Sequence, residues 1–297
     1  MPFEVDVLCV GHAAFDLVMS VDHHPGPDEK CHATSLLASG GGPAANAAVT
    51  VARLGGKSAF AGYLGDDFYG REHLSELMAE GVNTDLVVRG RHPTPVSLIL
   101  AKPGGERTVV NHKAGTPLLG SKEIDFSRCR PKVILFDGHE PLLSPPLAKA
   151  AKDAGIRTVL DAGSVHRGTL DLMHCVDYLI TSERFAHDFS GTNDVSQALS
   201  TLSGHAPFVV ITRGAKGLVW STRRGSGAMP AFPAKAVDTT GAGDTFHGAF
   251  ALCTARGNDF DEALRYASAA AALNCTKLGA RPGIPAGEQV DAYLRGI

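Results

Sequence analysis

The sequence predicts an α/β fold: a mostly parallel central sheet covered on both faces by helices, with a small separate β layer. Three observations carry this. Short apolar runs bounded by glycine or proline alternate with helical stretches over most of the 297 residues. Several of those runs are apolar throughout, as strands buried on both faces are. Extended, partly polar segments interrupt the alternation only in the first 113 residues, the place from which a second β layer would come.

In chain order, residues 5–10 form an apolar run stopped by Gly11, a first buried strand. Residues 15–21 alternate and break at His23-His24-Pro25-Gly26-Pro27, and 31–38 resume an extended pattern. Pro43, after a glycine run, suits the first turn of a helix, on which Ala44, Ala47, Ala48, Val51 and Leu54 make a small-residue stripe. A strand at 57–61 and a helix at 72–80, ended by Gly81, follow. Strands are expected at 86–88 and 96–101, and a turn at Pro103-Gly104-Gly105-Glu106 returns the chain through 107–111 as a hairpin. The small β layer is therefore assigned to about 12–38 and 86–113. From 132 the alternation is regular: strands at 133–136, 157–160, 177–180 and 208–211, and helices at 145–154 and 195–203. Residues 217–221 read as an antiparallel return, and 236–237 as a short strand. The last long helix is expected over 259–278, with Asp259 and Glu262 as a capping box. The whole, 1–297, reads as one domain.

Composition narrows the function. A net charge of −3 with Lys and Arg scattered gives no basic footprint for nucleic acid. No apolar run approaches the roughly 20 residues of a membrane span, and the acidic start lacks a signal peptide's basic region. Six widely spaced cysteines contain no Cys-x-x-Cys, which disfavours a zinc ribbon or redox pair and fits buried thiols in the cytoplasm.

The stretch around which the chain is organised is Asp238-Thr239-Thr240-Gly241-Ala242-Gly243-Asp244-Thr245-Phe246. Phe246, Ala249, Phe250 and Cys253 follow at helical spacing, so the glycine turn opens a helix, where free N–H groups favour an anion. Asp244 sits where that anion would go. An anion cradle and a base at one point suit phosphoryl transfer to a hydroxyl, although in isolation a Gly-Ala-Gly-Asp turn is more often a capped loop. Asp16 inside an apolar strand and Asn46 on an otherwise apolar helix add the acceptors and donors a polyol needs; alone, each reads as an edge-strand or capping residue.

Three patterns are set aside. Gly55-Gly56-Lys57-Ser58 carries the tail of a P-loop, but Val51 stands where its leading glycine belongs, and helix precedes strand. Gly241-Ala242-Gly243 begins a dinucleotide motif whose sixth residue is Phe246. Asp66-Asp67 after Gly65 reads as a turn before it reads as a metal site.

Ser39-Gly40-Gly41-Gly42-Pro43-Ala44-Ala45-Asn46, followed by Leu54-Gly55, resembles the N-terminal signature of the ribokinase-like carbohydrate kinases. The 238–244 turn resembles their C-terminal signature, and Ile211-Thr212-Arg213-Gly214-Ala215-Lys216-Gly217 the nucleotide-side segment between them. The resemblance covers nearly the whole chain in order. It implies a three-layer α/β sandwich with a β-sheet lid over the sugar, often the dimer interface. It implies Asp244 as catalytic base, with the amides of Gly241, Ala242 and Gly243 as anion hole. Asp16, Gly41, Gly42 and Asn46 would contact sugar; Ser182, Thr212, Gly214, Gly217 and Asn274 would lie on the nucleotide side. ATP and Mg²⁺ are the implied cofactors, with K⁺ at Asp238 and Thr240 as many members use. One departure stands out: Ser182-Glu183-Arg184-Phe185 replaces the family's Asn-x-x-Glu, leaving Glu183 or water to take up the metal role.

In motif detail the chain is most similar to sulfofructose kinases. Lys30 and Asn111 match two residues that face the sulfonate there, and His139 aligns with a third, an arginine. The expected reaction is therefore ATP-dependent phosphorylation of a primary hydroxyl on a ketose, sulfosugar or sugar phosphate. The rival readings are a nucleoside kinase and a catalytically silent sugar- or nucleotide-binding regulator, for which Phe185 is the clue.

Overall fold

The computed structural model describes residues 1–102, 104, 106–113 and 115–296; Pro103 and Gly105 of the expected hairpin turn lie outside them. In chain order the elements are β1 (Phe3–Val10), β2 (Ala14–Ser20), β3 (Ser35–Gly41), α1 (Pro43–Arg53), β4 (Ser58–Gly65), α2 (Phe68–Ala79), β5 (Asn83–Gly90), β6 (Val96–Ala101) and β7 (Arg107–His112). Then come β8 (Cys129–Phe136), α3 (Ser144–Asp153), β9 (Arg157–Ala162), α4 (Arg167–Leu172), β10 (Tyr178–Ser182), α5 (Glu183–Ser190), α6 (Val195–Leu202), β11 (Phe208–Thr212), β12 (Leu218–Thr222) and β13 (Gly225–Met229). α7 (Ala242–Arg256), α8 (Phe260–Asn274), α9 (Ala280–Gly283) and α10 (Gly287–Arg295) complete the chain.

Nine strands form the central sheet in the order β13-β12-β11-β10-β9-β8-β1-β4-β5. From β11 to β5 every pairing is parallel; β12 and β13 add an antiparallel edge. The alternate side chains of these strands feed two cores. Val7, Phe60, Leu135 and Ile180 pack with α1, α7 and α8 on one face, and Leu8, Ala61, Phe136 and Leu179 pack with α3 to α6 on the other. Apolar-throughout strands are what two covered faces require.

A separate four-stranded sheet, β3-β2-β6-β7, makes the lid. Its pairings are antiparallel except for parallel β2–β6. Three expectations are corrected here. Residues 86–88 do not belong to the lid: they lie in β5, paired parallel to β4 at the edge of the central sheet, so the lid's second part begins at Val96. The lid's first part also extends beyond 38, because β3 runs to Gly41. No strand forms at 236–237; Asp238 makes only an isolated bridge, and the amides of Val237 and Asp238 donate to Cys275 O. The short helices α4 and α5 and the strand β13 went unforeseen, being too short or too glycine-rich for periodicity to show. The Asp259–Glu262 capping box forms as expected. Among the described residues no helix is long and apolar enough to cross a membrane.

Candidate active site

α7 begins at the glycine turn. Gly241 is its N-cap in the left-handed region (φ 76°), and a Cβ there would lie 2.6 Å from the Ala280 methyl. Glycine is thus required for both conformation and space. The expected anion hole of Gly241, Ala242 and Gly243 is corrected at Ala242, whose amide donates to Thr239 O at 3.3 Å; Thr245 N donates to Gly241 O at 2.8 Å, so the amides of Gly243 and Asp244 precede the first such bond of the helix. Above Gly243 there is open space where a side chain would stand. An anion can therefore meet bare amides at a helix terminus.

Asp244 lies in that first turn. Its Oδ2 accepts a hydrogen bond from Asn46 Nδ2 at 2.7 Å, which joins α7 to α1 across 198 residues. Burial raises the Asp244 pKa, and the Asn46 hydrogen bond and the nearby charges of His247 and Arg107 oppose that rise.

The lid presents a polar row beside this pair. Register places Ser39, Asp16, Ser97 and Asn111 as successive cross-strand partners on β3, β2, β6 and β7, and such partners share a face. Asp16 is buried, which pushes its pKa up to about 7 against a hydrogen bond from Ser97. Gly41 lies against it: a Cβ there would sit 2.0 Å from Asp16 Oδ2. Gly42 (φ 93°) also passes close to the backbone, where a Cβ would lie 2.6 Å from His12 O and 2.8 Å from Ala13 Cα, before α1 starts. Arg107, at the start of β7, donates to Thr239 Oγ1 at 2.7 Å, bringing the lid onto the glycine turn. Asn111 is exposed at the edge strand. Lys30 is exposed in the loop between β2 and β3, and among the described residues no hydrogen bond or ion pair ties it to the row. His139 stacks on His166 (4.8 Å between ring centres) and tilts against His12 (5.2 Å), its amide anchored to Asp137 Oδ1.

The ends of β10 and β11 carry the residues expected on the nucleotide side. Gly214 (φ 54°) opens a short 3-10 turn closed by Gly217 (φ 81°), where a Cβ would strike Met229 O. Thr212 donates to Thr181 O. Ser182 caps α5, accepting from Phe185 N and donating to Gly163 O. Asn274 is fully buried and donates to Ala280 O; in this conformation it holds the α8–α9 turn and has no surface open to the cleft. Asp238 is buried, with Oδ1 accepting from the amide and hydroxyl of Thr240 and Oδ2 from Gly279 N.

The Asn-x-x-Glu departure now has a geometry. Phe185 is fully buried in the core beneath β10 and stacks on Phe189. Glu183 is held by Arg213 (2.9 Å) and Lys216 (3.2 Å), so its carboxylate is already neutralised by two cations of the nucleotide-side segment. That disfavours Glu183 as a replacement metal ligand. Asp67 of the discarded metal pair caps α2 and binds Thr94.

Four residues escaped sequence reasoning. Asp137, at the end of β8, accepts from the amides of His12, His139 and Ala44, the last at the start of α1. Asp161, at the end of β9, pairs with His247 Nδ1 at 3.2 Å, and burial raises its pKa against that partner. His247 also places Nδ1 2.6 Å from Gly243 O and Nε2 3.3 Å from Ile180 O, so both ring nitrogens face oxygen. Arg281 is buried behind the lid. For the two aspartates a signal existed: each ends an apolar strand, where ligands of parallel sheets gather.

A carboxylate beside open amides at a helix terminus, with a polar row on the small sheet, is an arrangement suited to phosphoryl transfer to an alcohol. The comparisons agree. The model of the pfkB family carbohydrate kinases matches residues 5–287. Ribokinase of Bacillus subtilis is 29% identical over 97% of this chain and 99% of its own length. A putative ribokinase from Agrobacterium tumefaciens superimposes with a TM-score of 0.89 at 29% identity, covering 100% of this chain and 98% of that one. Arabidopsis thaliana ribokinase, solved with ribose and ATP, gives 0.85 at 26% identity over 99% of each chain. The chain belongs to the pfkB family of carbohydrate kinases. It is an ATP-dependent sugar kinase with the ribokinase-like fold.

Proposed function

We propose that the protein transfers the γ-phosphoryl group of ATP to a primary hydroxyl of a small sugar: a ketose, a sulfosugar or a sugar phosphate. The observation that carries this is the meeting of Asp244, Asn46 and the Asp16 row at the open end of α7. In this reading Asp16 and the second Asn46 amide hydrogen hold sugar hydroxyls, and Asp244 accepts the proton of the attacking one. Asn46 occupies Oδ2 of Asp244, which leaves Oδ1 for that proton. An aspartate is a weak base, unperturbed near pKa 3.9, so its transfer comes late and alignment supplies much of the rate. The amides of Gly243 and Asp244 receive the charge that develops at the transferring group.

MgATP supplies the electrophilic phosphorus, and its polyphosphate would lie against Gly214 and Gly217. Mg²⁺ would be held mainly by water and phosphate, since Glu183 is engaged. K⁺ would sit by Asp238 and Thr240, among backbone carbonyls. Lys30, Asn111 and His139 would face the far end of the sugar. The lid's outer face, with Leu17, Met19, Leu36, Leu98, Leu100 and Val110 open or half-open, supports a second copy docking there. Free cysteines throughout suit the cytoplasm.

The test is ADP release from MgATP over a panel of ketoses, sulfosugars and sugar phosphates, with the product's phosphorylated carbon located by NMR. Turnover of one class at least tenfold above the others supports the reading. Sugar-dependent stabilisation without any ADP would replace it with the silent binder.

A further inference from the structure

We propose that Arg281 is a positioning residue: its buried guanidinium anchors the Asn46 amide oxygen, and so steadies the hydrogen bond that Asn46 gives to Asp244. The inference rests on the kinase reading of the site.

Arg281 is 1% exposed and the largest fully buried side chain among the described residues. It comes from α9, the turn whose Ala280 walls Gly241. A buried guanidinium is costly unless paired. Its Nη1 lies 2.9 Å from Glu76 Oε2, its Nη2 2.5 Å from His73 Nε2, and its Nε donates to Asn46 Oδ1 at 3.3 Å. Arginine has only donors, so each atom it meets must be an acceptor. His73 therefore turns an unprotonated Nε2 to the guanidinium, and burial and then the Arg281 charge push its pKa down. By the same logic Asn46 must turn its oxygen to Arg281, which sends Nδ2 to Asp244 at 2.7 Å. The Asp244 carboxylate accepts only, so it favours the same orientation, and Arg281 and Asp244 hold the amide from its two ends. Without Arg281 the buried amide oxygen loses its donor and the amide is held at one end alone.

The surroundings are shaped for this guanidinium. A Cβ at Gly40 would lie 2.3 Å from Arg281 Nη1 and 2.5 Å from His73 Cδ2, and Gly40 N donates to Glu76 at 2.6 Å. The bare strand is what lets the cation lie beneath the lid. The α9 turn is clamped in turn by Arg53, which donates to Arg281 O and Ile284 O while paired with Glu80. A hydrophobic side chain of similar volume is commonly as stabilising as a buried ion pair; stability alone does not account for an arginine here. The titratable groups facing Arg281 are Glu76 and His73 on α2, Glu80 at its C-cap, and Asp16 on β2. Those facing Asp244 are His247 on α7, Arg107 on β7, Asp16 on β2, and Asp137 and Asp161 at the strand ends.

The experiment compares Arg281→Lys, Arg281→Met, Asn46→Ala and the double variant Arg281→Met/Asn46→Ala. Readouts are the pH profile of kcat, the sugar KM, the Tm, and the carbon-13 titration of the Asp244 carboxyl. Loss of the Asn46 donor raises the Asp244 pKa, so the acidic limb of the kcat profile moves to higher pH, by on the order of one unit. Arg281→Lys keeps a charge for Glu76 but lacks the fork, and shows the same shift with kcat down about tenfold. KM changes less than kcat, and the double variant is no slower than Asn46→Ala alone. Should Arg281→Met not fold, Arg281→Lys carries the test. A wild-type limb and kcat in Arg281→Lys, or additive losses in the double variant, overturn the proposal, whatever the Tm does. If the wild type phosphorylates no sugar, the kinase reading fails, and the carboxyl titration still decides: an unshifted Asp244 in Arg281→Lys refutes the role of Arg281.

Discussion

Replacing Gly41 by alanine tests whether the lid and the glycine run build a sugar site. The new methyl would lie 2.0 Å from Asp16 Oδ2 and 2.3 Å from its Cγ. Ordinary contact needs more than 3 Å, so one side must yield by over 1 Å. β3 cannot yield cheaply, being paired with β2 at every position from Ser35 to Gly41. The Asp16 carboxyl must therefore swing out of its row and away from Ser97. A displaced carboxylate forfeits a charge-assisted hydrogen bond to substrate, about 1.5–3 kcal/mol. At 1.4 kcal/mol per decade, that raises the sugar KM about 10- to 150-fold. Asp244 and the α7 amides are untouched, so kcat and the KM for ATP should stay within about threefold of wild type. Overpacking costs about 1–3 kcal/mol of stability, a fall in Tm of about 2–4 °C per kcal/mol, which leaves a folded enzyme to assay. Steady-state kinetics with the best sugar from the panel decides it. An unchanged sugar KM, or a kcat loss with KM intact, would refute the placement of Asp16 on the sugar.

Three further outcomes are expected. Asp244→Asn should lower kcat at least on the order of 10²-fold with the Tm unchanged or raised, since a buried carboxylate is removed; turnover near wild type would remove the base assignment. Asp16 has its folded pKa raised to about 7 by burial, so as pH falls through 7 it protonates and loses its charged acceptor. The sugar KM should then rise on acidification, and Asp16→Asn should give a high KM with no such titration. The same raised pKa means Asp16 favours folding below its unfolded value near 3.8, and that contribution is lost as pH rises through about 7; Asp16→Asn should gain most in Tm at pH 8. Phe185→Glu, which would restore the family residue, should instead destabilise by about 3–5 kcal/mol, because it buries an unpaired charge in the core beneath β10. A Tm at or above wild type with faster turnover would refute that expectation.

Much of the fold was legible in the residues because its causes are local. The apolar runs of β1, β8 and β10 and the turn glycines Gly11, Gly81 and Gly155 carry strand and boundary signals within a few residues. The lid edge at 86–88 was misread for the same reason: an extended segment does not say which sheet it joins, and β5 differs from a lid strand only in its neighbour. Asp16, Asn46 and Asp244 stood out as polar residues at odds with apolar surroundings. Asp137, Asp161, His247 and Arg281 did not, since an acid after a strand or an arginine in a tail is ordinary until its partner is known.

The amino-acid order by itself determined the glycine turn that opens α7, the glycine run that leads into α1 at Pro43, and the strand–helix alternation, because each follows from backbone sterics and short-range periodicity. Tertiary structure alone decided that Asn46 meets Asp244 across 198 residues, that Glu183 is spent on Arg213 and Lys216, and that Arg281 lies beneath Gly40 rather than in solvent. Those are pairings of donors with acceptors far apart in the chain, and burial, not spacing, selects among them.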